Sequence, residues 1–202
     1  MNAPASCIAF DGERLIASGS LPAVVTQAKR VIDRGLKSPV LLFDAVSSDT
    51  IEIDFRGSLA EVLKRLPVEP EPAPLQEDDI TVTPDAPRGR GRPRLGVVAR
   101  EVTLLPRHWE WLNGQPGGAS VALRKLVEEA RRVNAGRDAA RKSRDAAYRF
   151  MSVMACAQES FEEAARALFA IQREAFESQI ASWPEDVRKH VLGLATPSFV
   201  PL

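Results

Sequence analysis

The chain has 202 residues, 45% hydrophobic and 27% charged, with 27 basic and 27 acidic side chains. That length holds one or two domains with real cores, and no charged-then-apolar leader or membrane-length apolar run is present, so the expectation is a cytoplasmic protein without a membrane segment. The zero net charge hides a pattern: residues 1–68 are balanced, 69–87 hold six acids and no base, 88–149 hold fifteen bases against six acids, and 150–202 hold four against seven.

A basic middle beside an acidic segment points to a polyanionic partner, with the acidic segment as a candidate mask. The only cysteines, Cys7 and Cys156, fit no metal or redox spacing and read as free thiols in a reducing compartment.

Residues 7–19 read as a hairpin, with Ile8 and Phe10 alternating and Asp11-Gly12 as the turn. Ser20 and Pro22 open a helix to about Arg34, whose apolar face is Val24, Val25, Ala28, Val31 and Ile32, and Gly35 ends it. Val40 to Phe43 is a short strand. Ile51, Ile53 and Phe55 alternate with Glu52, Asp54 and Arg56, the period of a half-buried strand. Ser58 and Glu61 have capping-box spacing, ahead of a helix burying Leu59, Val62, Leu63 and Leu66. The fold class is therefore α+β, opening with a small ββαββα domain over 1–67. Asp44, Asp49, Glu52 and Asp54 lack the spacing of a calcium loop and read as a solvated face, so no metal is expected.

Residues 68–96 predict a flexible linker, proline-rich and acidic at first, basic at its end. Within it Arg90-Gly91-Arg92-Pro93 resembles the core of an AT-hook. The resemblance implies that Arg90 and Arg92 enter the narrow minor groove of A·T-rich DNA, with Arg88 and Arg94 on flanking phosphates. The plainer reading is a basic linker.

A β-prone run, Val97 to Leu105, leads into a helix from Pro106. Gln115-Pro116-Gly117-Gly118 breaks it, and a basic helix follows from Ala119 or Ser120. Strand, short helix, glycine turn and basic helix resemble the ribbon-helix-helix family of bacterial DNA-binding proteins over residues 97–134. Leu105-Pro106 matches the strand-to-helix junction, Trp109 and Leu112 the first-helix core, and Gly118-Ala119-Ser120 with Leu123-Arg124 the second-helix entry. The resemblance implies an obligate dimer whose paired strands enter the major groove, with Arg100, Arg124 and Lys125 on the DNA. The sequence departs from the family at Val102 and Leu104, which fall on the groove-facing side where polar residues are usual. A one-residue bulge or a ribbon that does not read bases would account for it, and a helix-turn-helix stays open. Trp111 is assigned to an interface and His108 to an exposed or capping position. The whole chain, with its GRPRLGVVAREVTLLPRHWEWL core, is also similar to an uncharacterised prokaryotic family of unknown function, which implies a bacterial source and no particular activity.

From Arg137 to Trp183 there is no glycine or proline. Ser160 with Glu163 has capping-box spacing and predicts a break near Gln158. A last helix is expected over 184–194, and the helical region is placed at 137–194. Arg137, Arg141, Lys142 and Arg144 extend the basic surface. With two histidines, no phosphate-binding glycine loop and no nucleophile elbow, no catalytic residue or cofactor is expected. The expectation is a non-catalytic DNA-binding protein, dimeric or larger; the alternative is an oligomeric interaction protein whose basic segment is only a linker.

Overall fold

The structure, a computed structural model, describes residues 6–35, 38–67 and 100–200. They fall into two compact units: one formed by 6–67 with 134–200, the other by 100–133.

In the first unit, β1 (Cys7–Asp11) and β2 (Arg14–Gly19) form the predicted hairpin. Its turn needs Gly12, at φ +56°. Pairing runs Ala9 to Ala17 and then Phe10 to Leu15, which leaves Ile16 as a one-residue bulge. Helix α1 (Leu21–Asp33) then carries the chain across, and β3 (Val40–Asp44) pairs antiparallel with the other side of β1. The strand order is β2-β1-β3.

As the central strand, β1 is buried on both faces, which is why CIAF is continuously apolar rather than alternating. Cys7 and Ala9 face Leu21, Val24, Val25 and Ala28 of α1, together with Val62 of α2 (Leu59–Arg65). Ile8 and Phe10 face the other way with Phe43, onto helices from the far end of the chain. Those are α4 (Gly118–Met154), α5 (Phe161–Phe169), α6 (Arg173–Gln179) and α7 (Glu185–Ala195), followed by a 3-10 turn, Thr196–Phe199. Phe150 of α4 lies 5.3 Å from Phe10 and 5.1 Å from Phe43 between ring centroids. The described residues of the first 67 positions and the helices over 137–194, expected as separate bodies, thus supply opposite walls of one core. A three-stranded sheet has two faces to cover, and α1 and α2 cover only one.

The predicted fourth strand, 51–55, is not a strand. Its side chains alternate as expected, with Ile51, Ile53 and Phe55 packed on the α1 side. Its backbone, however, meets β3 only at one bridge, Phe43 to Thr50, and at the Ile51 amide, which donates to Leu42 at 2.8 Å. Beyond that, Arg65 of α2 donates to the carbonyls of Asp54 and Arg56, taking acceptors that a strand partner would have used. The order is therefore ββαβα. Asp44 accepts the amides of Val46 and Ser47 in a turn, Asp49 pairs with Arg149, and Asp54 pairs with Arg56 and Arg65.

The helices show two further departures. A break falls where expected, between Met154 and Phe161, but Ser160 sits at φ +61° and makes no side-chain cap. Upstream, no separate second helix ends near Asn134. Helix α4 runs on for 37 residues, about 55 Å at ~1.5 Å per residue, despite Gly136. All seven α-helices and three strands among the described residues leave the class as α+β.

Candidate nucleic-acid interface

The predicted DNA-contacting residues lie between the linker and the start of α4. Arg88, Arg90, Arg92 and Arg94 fall outside the described residues, as do positions 97–99 of the predicted strand. Residues 100–105 form no strand. The expected ribbon would take its partner strand from a second copy, and no described strand pairs with this segment. Arg100 is exposed there and makes no ion pair among the described residues.

Helix α3 (Pro106–Asn113) begins on a proline at its first position, where the missing amide costs nothing. Leu112 is its one buried residue. Trp109, predicted as core, is 37% exposed, and Trp111 is 53% exposed. By spacing Trp109 and Leu112 share one face, yet of the two only Leu112 is buried. His108 is exposed, as expected.

The α3–α4 turn requires glycine. Gly117 has φ +88° and a Cβ there would come within 3.2 Å of the Val121 side chain; Gly118 has φ +76°. At the start of α4, Arg124 curls back, donating to the Ser120 carbonyl at 3.1 Å and its hydroxyl at 3.2 Å. Lys125 beside it is exposed and without an ion pair among the described residues.

Between Gly118 and Arg144, α4 carries eight bases against three acids, a net charge of +5. Three of the bases are locally paired: Arg131 with Glu128, Arg132 with Glu129, and Arg141 with Asp138. Exposed pairs of this kind are weak and open readily to a better anion. Arg124, Lys125, Arg137, Lys142 and Arg144 make no ion pair among the described residues. Such bases can displace counterions from a phosphate backbone.

Sequence reasoning takes Arg137, Arg141, Lys142 and Arg144 as extending the basic surface. The structure adds a wall to the three arginines from Ile171 and residues 198–200. That juxtaposition spans some thirty to sixty positions and has no local signal. It also overlooked His190, whose ring lies 6.0 Å from Phe10 and 4.6 Å from Phe150. Burial there pushes the imidazole down to about 4 and leaves Nε2 without a hydrogen-bond partner. Cys7 is free and buried, its thiol raised to about 11 by burial and then by Asp44, while Cys156 is free and exposed.

No described helix is long and apolar enough to cross a membrane. No curated protein and no solved structure matches the chain. One family does, over residues 6–195, so this chain belongs to the family described as uncharacterised proteins conserved in bacteria (DUF2239).

Proposed function

We propose that the chain is a non-catalytic, cytoplasmic DNA-binding protein that regulates transcription or organises the chromosome. It works as a dimer or larger assembly through residues 97–134, by the ribbon-helix-helix-like arrangement, with an AT-hook-like contact from Arg90 and Arg92. The observation that carries this reading is the +5 segment of α4, Gly118 to Arg144, with five bases free of ion pairs among the described residues. Neutralising phosphates with such bases releases condensed counterions and makes binding steeply salt-dependent.

Binding to A·T-rich and G·C-rich duplexes across a salt series tests it. Arg124→Ala should weaken both alike and lower the salt slope by about one unit. Arg90→Ala with Arg92→Ala should weaken the A·T-rich duplex more, because groove width is read there. Equal loss on both duplexes would reduce the arginine-glycine segment to a cationic tether, and unchanged binding in both variants would remove the DNA reading. The local pairing of Arg131, Arg132 and Arg141 favours a second reading, an oligomeric interaction protein whose basic residues serve solubility.

A further inference from the structure

We propose that the cleft between α4 and the 3-10 turn binds a phosphate monoester that carries an apolar body. The cleft measures about 560 Å³, within the range of small-molecule sites. One side is cationic. Arg137, Arg141 and Arg144 follow each other at i, i+4 and i+7 and so line one face of α4. Arg141 is held to Asp138 at 2.9 Å, whereas Arg137 and Arg144 make no ion pair among the described residues. Three guanidiniums and one carboxylate leave a charge of +2. A phosphate monoester carries roughly −1.5 to −2 at neutral pH and accepts guanidinium donors in pairs. The charge balance suits one doubly charged head group.

The opposite side is apolar, built from Ile171, Phe199 and Val200. Ile171 is the telling residue. It ends α5 in a Schellman motif, its own amide donating to Leu168 at 3.2 Å and the Gln172 amide donating to Ala167 at 3.0 Å. That position has φ +58° and is ordinarily glycine. A β-branched side chain there is strained, and at 51% exposure Ile171 recovers little of the cost by burial. A strained, half-exposed isoleucine on the wall of a cationic cleft is placed for a ligand, not for the fold. This inference does not rest on the DNA reading.

Calorimetric titration of the full chain with 1-naphthyl phosphate tests it, against inorganic phosphate and 1-naphthol as the two halves. The expected result is naphthyl phosphate binding at least tenfold tighter than either half. Arg137→Ala with Arg144→Ala should cost at least tenfold while helicity by circular dichroism stays unchanged. Ile171→Gly should raise the melting temperature and yet weaken naphthyl phosphate several-fold, a combination that a purely structural role would not produce. Absence of binding, equal affinity for inorganic phosphate, or binding indifferent to both variants would overturn the proposal. So would an arginine variant that loses duplex DNA affinity alone, which would assign these arginines to the nucleic-acid surface.

Discussion

The two compact units of this chain are built on opposite economies. The sheet-and-helix unit buries Phe10, Phe43, Phe150, Phe176, Met151 and Leu168 completely, drawing them from both ends of the sequence. The unit spanning 100–133 buries only Leu112 and Ala122, while Trp111, Leu126, Val127 and Val133 stay exposed. Burial within one chain specifies the first. The second is held by helix continuity and exposed i,i+3 pairs, and isolated helical segments are marginal without a covered face.

The largest effect should come from the wall that joins the two ends of the chain. Phe150→Ala should cost about 3–5 kcal/mol, since it removes a fully buried ring between Phe10 and Phe43. Urea unfolding followed by far-ultraviolet circular dichroism and by fluorescence of Trp183, with Trp109 and Trp111 replaced, should give one coincident transition. Two separated transitions would show that the sheet and the helices unfold independently after all.

The next effect belongs to the thinner unit. Sedimentation of the full chain at tens of micromolar should show self-association. Trp111→Ser with Val127→Ser should weaken it at least tenfold and leave the melting temperature of the sheet-and-helix unit nearly unchanged, because both side chains are exposed in one copy. A monomer in the unsubstituted protein would place the cover for this face elsewhere.

A pH scan sharpens the contrast from the other side. His190, held down to about 4 between Phe10 and Phe150, takes up a proton less readily folded than unfolded, where its ordinary value is near 6.5. Its contribution to stability is therefore complete above about 6.5 and is lost as the pH falls from there towards 4. Urea midpoints at pH 7.5, 6.0 and 5.0 should decline, and His190→Phe should flatten that decline. An identical slope in the variant would assign it to other groups.

These regions also differ in what the sequence reveals. Asp11-Gly12, the apolar face of α1 and the run before Asp44 announce β1, β2, α1 and β3 because each signal is local. At 51–55 the alternation is equally clear, and it reports side-chain burial correctly; it does not report that Arg65 takes the backbone carbonyls a neighbouring strand would need. The shared core is invisible for a related reason. Phe10 and Phe150 look apolar in any sequence, and nothing near either one names the other. In the candidate site, the basic face of α4 follows from spacing, whereas the cleft wall at Ile171 depends on a left-handed backbone that its residue type argues against.

The smallest predicted effects come from one motif with two outcomes. Ser58 with Glu61 and Ser160 with Glu163 have identical spacing. At the first, the Ser58 hydroxyl accepts the Glu61 amide and Glu61 accepts the Ser58 amide at 2.7 Å, so both ends of the box close. At the second, Ser160 is left-handed and makes no side-chain cap, and Glu163 pairs instead with Arg166. Ser58→Ala should therefore cost about 1 kcal/mol, the usual value of an N-cap. Ser160→Ala removes no cap and should leave stability within about 0.5 kcal/mol, in the range of ordinary surface changes. Ser160→Gly goes further. Glycine adopts positive φ without a Cβ clash, and relief of that strain outweighs its greater unfolded entropy, so this variant should stabilise by up to about 1 kcal/mol. Thermal melts of the three variants decide the matter. Destabilisation by Ser160→Gly matching that of Ser58→Ala would mean that Ser160 caps α5 in solution through the box its spacing promised.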